Sequence, residues 1–177
     1  MDDREIIELC QRGHPAGFAR LLAAYQERVY RTAHSFLYNR EDARDVTQEV
    51  FLRTVRAMGS LDMARPLWPW LRRVTTNLSL NLLKRRTAHL SLDALPESAQ
   101  PKAEATEPAY TRLAIREALS ELPPVWRIVL SLRHQEELSY EEIARLTDLP
   151  IGTVKTYIFR GRRFLRERLA MGEGSGQ

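Results

Sequence analysis

Apolar residues recur along this chain every three or four positions, the spacing of amphipathic helices, and nowhere alternate with the period of a strand. In IIELCQRG, from Ile6, the pattern stops at Gly13. A longer run, AGFARLLAAYQERVYRTAHSFL, sets Phe18, Leu21, Leu22, Tyr25, Val29 and Ala33 on one side. NRED then makes a short connection, with Asn39 placed to cap the next helix and Glu41 and Asp42 in its first turn, where carboxylates suit the helix dipole. That helix reaches about Met58 and is ended by Gly59-Ser60. SLDMARPLWPW reads as a loop because of its two prolines, and WLRRVTTNLSLNLLKRR as the helix after it.

A second helical series starts near Ala109. YTRLAIREALSEL ends at Pro123-Pro124, VWRIVLSLRHQ follows, and SYEEIARLTDLP opens with Ser139 and Glu142 at capping-box spacing. IGTVKTYIFRGRRFLRERLA is the last helix. Between the series, Pro96, Pro101 and Pro108 lie among small residues with Asp93, Glu97, Glu104 and Glu107, the composition of a flexible acidic linker. The expected fold is therefore all-α: two small helical domains, 1–87 and 109–170, a linker at 88–108 and a disordered tail at 171–177.

Composition narrows the class. With 177 residues, 44% of them hydrophobic, the chain can build two modest cores. One cysteine, Cys10, excludes an internal disulfide and a zinc cluster built on cysteines. No apolar run matches a membrane span, and MDDREIIELC is acidic where a secretory signal would be basic, so a cytoplasmic protein without membrane insertion is expected. His14, His34, His89 and His134 are scattered, and no phosphate loop, metal-ligand spacing or nucleophile arrangement accompanies them. No enzyme, metal or cofactor is expected.

The net charge is only +4, so its distribution matters more. Arg72, Arg73, Lys84, Arg85 and Arg86 form one basic group, and Lys155, Arg160, Arg162, Arg163, Arg166 and Arg168 a second, opposed only by Glu167. Two separate groups suggest two contacts with a polyanion; the plainer alternative is two solvated helix faces.

The second group sits on a helix-turn-helix pattern: a helix from Tyr140 to Thr147, a turn at Asp148-Leu149-Pro150, and a helix from about Gly152. Ile143, Ala144, Leu149, Val154 and Ile158 suit its interior. Thr153, Lys155, Thr156, Phe159 and Arg160 would then face the major groove, with Arg162 and Arg163 on phosphates. The alternative is an αα-hairpin with a basic surface. The first group combines arginines with aromatics, which suits unpaired bases stacking on rings. Asn77 offers a donor and an acceptor to a base edge. Trp70 reads as core, and Trp68, between prolines, as the surface aromatic.

In DARDVTQEVF, Asp42, Asp45 and Glu49 fall in one narrow stripe with Gln48 at its edge, beside an apolar arc of Ala43, Val46, Val50 and Phe51. The stripe is either a salt-bridged surface or a dock for something basic.

DARDVTQEVFLRTVRAM and WPWLRRVTTNLSLNLLKRR together resemble region two of bacterial sigma factors of the extracytoplasmic-function type, in the sigma-70 family. ELPPVWRIVLSLRHQEELSYEEIARLTDLPIGTVKTYIFRGRRFLRERL resembles their region four. The family more often has an acid at the position of Arg44 and an apolar residue at that of Thr47, and RPLWPW is richer in proline than its usual loop. The resemblance implies a subunit that binds core RNA polymerase, through the β′ clamp and the β flap, and directs initiation at signal-responsive promoters. It implies that Asp42, Asp45, Gln48 and Glu49 bind the clamp. It places Trp68, Arg72, Arg73, Asn77, Lys84, Arg85 and Arg86 on the minus-ten element, and Thr153, Lys155, Thr156, Phe159, Arg160, Arg162 and Arg163 on the minus-thirty-five element. An anti-sigma partner is usual in the family. The competing expectation is a helix-turn-helix regulator with an N-terminal sensing or dimerising domain.

Overall fold

The structure, a computed structural model, describes the backbone of residues 3–87 and 112–173. The expected linker at 88–108 lies outside the described residues. The chain divides into two compact units, Met1–Leu82 and Leu83–Gln177. Among the described residues all regular structure is helical: α1 (Asp3–Gln11), α2 (Pro15–Leu37), α3 (Arg40–Ala57), a 3-10 turn (Met58–Ser60), α4 (Leu67–Thr87), α5 (Arg112–Glu121), α6 (Pro124–His134), α7 (Tyr140–Thr147) and α8 (Ile151–Glu173). α8 thus continues beyond the expected end at 170 and into the stretch expected as tail.

In the first unit, α1 and α2 are joined by a tight corner. Gly13 takes the left-handed conformation (φ 67°), and the His14 imidazole caps α2 by accepting from the Ala16 amide. The two helices touch at Gly17, where a Cβ would lie 2.7 Å from the Cys10 backbone nitrogen. A second tight corner joins α2 to α3: Tyr38 is left-handed (φ 51°), and the Asn39 side chain accepts from the amides of Glu41 and Asp42. The core is filled by Ile6, Ile7, Leu21, Val29, Ala33, Phe36, Val46, Val50, Phe51, Leu67 and Leu71. Apart from Ala33, each such side chain contributes about 1.5–3 kcal/mol when fully buried. Phe18, expected on the inner side of α2, is 42% exposed. It lies in the first turn of a long helix, at the edge of what α1 and α3 can cover.

In the second unit, α6 is the central element, buried from Trp126 to Leu132. Its contact with α8 is made close by Gly161, where a Cβ would meet Leu130 Cδ1 at 2.5 Å. Ala144, expected in the helix-turn-helix interior, is only half-buried. Trp126 packs against Tyr157 with ring centroids 6.0 Å apart. The Arg168 guanidinium fastens α8 to α5 through both carboxylate oxygens of Glu121, at 2.6 and 2.7 Å, and holds that carboxyl below its ordinary pKa.

Candidate nucleic-acid and docking surfaces

The acidic stripe of α3 is a real surface, but its membership changes. Asp45 and Gln48 are exposed, and Glu49 is half-buried. Glu49 accepts a hydrogen bond from Arg53 Nε at 2.7 Å, one turn on, which holds its carboxyl below the usual range. Asp42 is only 8% exposed. At about 100° per residue it sits at the stripe's edge next to Val46, and in the first turn, beside the tight α2–α3 corner, that edge is covered. Asp42 therefore does not share the exposure of the rest of the stripe. Thr47 is buried by donating its hydroxyl to the Ala43 carbonyl at 2.6 Å, so a polar residue fits the inner arc.

The same face gains two members that the acidic pattern hid. Leu52 is 51% and Val55 48% exposed. Asp45, Gln48, Leu52 and Val55 follow one another at intervals of three and four, making a continuous row on α3. Acidic at one end and apolar at the other, this row faces away from the core. Beside it Arg44, Thr47 and Gln48 form one wall of a shallow groove, with Leu22, Ala23, Gln26, Glu27 and Tyr30 of α2 as the other.

On α4 the aromatic assignment is reversed. The helix begins at Leu67, not at Trp70. Pro69 is accommodated because the first-turn amides of a helix have no intrahelical partner. Trp68 is thereby turned inward and is 8% exposed, its ring parallel to Tyr25 within 6° at a centroid separation of 6.4 Å, with the Arg28 guanidinium 3.8 Å from its centre. It is a packing residue and not a base platform. Trp70 is half-buried and shares a face with Arg73, Asn77, Asn81 and Lys84, spaced at three- and four-residue steps or their sums. Asn81, four residues beyond Asn77, joins that face through helical spacing alone. Arg73, Asn77, Asn81, Lys84, Arg85 and Arg86 are exposed, whereas Arg72 is half-buried and on another side of the helix.

The helix-turn-helix is formed by α7 and α8. Ser139 Oγ accepts from the Glu142 amide at 3.2 Å, and Glu142 Oε2 accepts from the Ser139 amide at 2.8 Å, completing the capping box. Asp148 ends α7 in the left-handed conformation (φ 58°). Ile143, Val154 and Ile158 are buried between the two helices, and Leu149 is half-buried. This leaves Lys155 and Thr156 exposed at the start of α8, with Thr153, Phe159 and Arg160 half-buried beside them. Arg162 and Arg163 are exposed. Arg162 lies 3.2 Å from His134 Nε2, and Arg163 donates to Glu167 at 2.8 Å. Among the described residues no group of histidine, cysteine and carboxylate side chains could hold a metal ion, and no helix is long and apolar enough to cross a membrane.

The family model "Sigma-70 region 2" matches residues 21–89, and "Sigma-70, region 4" matches residues 112–165. The ECF RNA polymerase sigma factor SigW of Bacillus subtilis is 30% identical, over 92% of this chain and 94% of its own. The ECF RNA polymerase sigma-E factor of Escherichia coli K12 is also 30% identical, over 96% of this chain and 95% of its own. Among solved structures, the sigma factor RpoE of Bartonella quintana, in complex with the anti-sigma factor NepR, shares the fold at a TM-score of 0.62 and 22% identity, covering 86% of this chain and 96% of its own. With both helical regions in place and in order, this chain belongs to the extracytoplasmic-function sigma factors of the sigma-70 family.

Proposed function

We propose that the chain binds core RNA polymerase through the α3 row of Asp45, Gln48, Glu49, Leu52 and Val55, and recognises promoters through α4 and α8. The observation that carries this reading is that α3, α4 and α8 each keep a chemically distinct face that neither core uses. The α3 face is acidic and apolar, suited to a basic amphipathic partner such as the polymerase clamp. The α4 face of Trp70, Arg73, Asn77, Asn81 and Lys84 combines a ring, two amides and cations, suited to unpaired bases of the minus-ten element. Lys155, Thr156, Phe159 and Arg160 on α8 read the minus-thirty-five element, with Arg162 and Arg163 on its phosphates.

The chain does this in the cytoplasm as a binding subunit, leaving catalysis to the polymerase. Its activity is controlled by signal through an anti-sigma protein, as the complex of the related fold with NepR supports. A regulator with a sensing domain would not need the α3 row or the basic-aromatic α4 face. The deciding experiment is run-off transcription from a promoter library with core polymerase and this chain. Selection of a shared two-element motif supports the reading; no transcript and no complex with core by gel filtration overturn it.

A further inference from the structure

The loop between α3 and α4 is held at both ends by the same helix. At its start, Gln11 Nε2, on the last residue of α1, donates to the carbonyls of Met58 (3.0 Å) and Leu61 (3.4 Å). At its end, Asp3 Oδ2, on the first residue of α1, accepts from the Leu67 amide at 2.8 Å. The other Asp3 oxygen accepts from the Tyr25 hydroxyl. α1 therefore spans the loop, with its two polar ends about 12 Å apart along the axis. Between them, among the described residues, the loop bonds to itself: Asp62 accepts from the Ala64 amide and pairs with Arg65 at 3.2 Å, while Met63, Arg65 and Pro66 are exposed.

These polar ends are not what attaches α1. Ile6 and Ile7, at 0% exposure, already anchor it in the core. The bonds instead set where α4 begins. The Leu67 amide is one of the N-terminal amides that no helix satisfies internally, and a carboxylate there also suits the helix dipole. Burial, and then the Asp3 hydrogen bond, push the Tyr25 phenol well above its ordinary pKa, so it remains a donor. Tyr25 in turn lies parallel to Trp68 in the first turn of α4. Asp3 thus fixes the helix start through both its backbone and its first aromatic side chain.

We propose that Asp3 and Gln11 are positioning residues for capture of the opened promoter strand: α1 clasps the loop before α4 and so pre-sets the loop and the Trp70–Arg73–Asn77 face against single-stranded DNA. This rests on the assignment of α4 to the minus-ten element. A loop ordered in advance need not be ordered at the cost of binding, and the effect falls on base selection more than on general affinity.

The test uses the full chain and its complex with core polymerase. Hydrogen exchange is followed at residues 58–70, and fluorescent single-stranded oligonucleotides, one selected by the wild-type complex from a randomised pool and one scrambled, are titrated. Asp3→Ala is expected to speed exchange at Leu67 about tenfold. It should reduce the preference for the selected strand by about fivefold at unchanged core affinity, and Gln11→Ala should act in the same direction. Asp3→Asn should restore the preference, since its carbonyl still accepts from Leu67 and its amide can donate to the Tyr25 oxygen. Wild-type preference in Asp3→Ala, or a parallel loss of core affinity, overturns the clasp. Asn77→Ala separates the two levels. If it loses preference while Asp3→Ala keeps it, the clasp alone fails; if both keep it, the assignment of α4 fails and the clasp with it.

Discussion

The apolar end of the α3 row gives the sharpest test of polymerase docking. Leu52 and Val55 are about half exposed in the free chain (51% and 48%), so folding has already gained about half of what their burial can yield. Complete burial of such a side chain is worth about 1.5–3 kcal/mol, which leaves about 0.8–1.5 kcal/mol for each to gain on docking. Replacing both by alanine should cost about 1.5–3 kcal/mol of core affinity, or about 10- to 100-fold in Kd. The half already buried is lost from the fold as well, so the double variant should melt lower, by up to about 1.5–3 kcal/mol, while staying folded at the titration temperature because alanine suits a helix. The measurement is an anisotropy titration of labelled chain with core polymerase at several salt concentrations, beside a thermal melt. The double variant should shift the whole curve while leaving its salt dependence intact, because no charge is removed. Asp45→Asn should instead change the salt dependence. Wild-type affinity of Leu52→Ala/Val55→Ala, with the chain still folded by the melt, would refute the placement of the polymerase on this face.

The other expectations concern charge, the aromatic pair and the recognition helix. Glu49→Lys should weaken core binding with the fold intact, since it reverses a charge on the docking row and breaks only the surface pair with Arg53; binding equal to wild type in a pull-down would remove Glu49 from the interface. Trp68→Ala should lower the melting temperature through the loss of a buried ring, about 3–5 kcal/mol, whereas Trp70→Ala, removing a half-buried ring, should lower it clearly less and impair permanganate-detected promoter opening. The reverse pattern would restore Trp68 as the base platform. Arg160→Ala should cost about 1–3 kcal/mol on the cognate minus-thirty-five element and relax one base pair, while Arg163→Ala should weaken all sequences alike and lower the salt slope by about one. Equal loss on cognate and scrambled duplexes for Arg160→Ala would make it a phosphate contact.

Helix existence was legible from the chain because periodicity and caps are local. Asn39, the Ser139–Glu142 box and the turn at Asp148 act over three or four residues, and each does in the structure what its position implied. The corrections have a different origin. Asp42 and Glu49 look alike on a helical wheel, yet the nearby α2–α3 corner covers one and not the other. Trp68 and Trp70 are separated by a proline that reads as a breaker, and the choice of which ring turns inward follows from where α4 starts. At that start the Leu67 amide bonds Asp3 and the Trp68 ring lies on Tyr25, residues distant along the chain that fold against it.

The sequence by itself determined the number and order of helices, their caps, the two basic groups and the family, because these depend on short-range spacing and on residue type. Tertiary structure decided which face of each helix remains outside. It moved Asp42 and Trp68 into the first unit, brought Leu52 and Val55 onto the acidic row, and made Gly161 the tight crossing of α6 and α8. The physical reason is that burial is a property of pairs of elements. A helical pattern says which residues share a side, but how much of that side is covered depends on the neighbour's position, and that position is fixed by contacts between residues far apart in the chain.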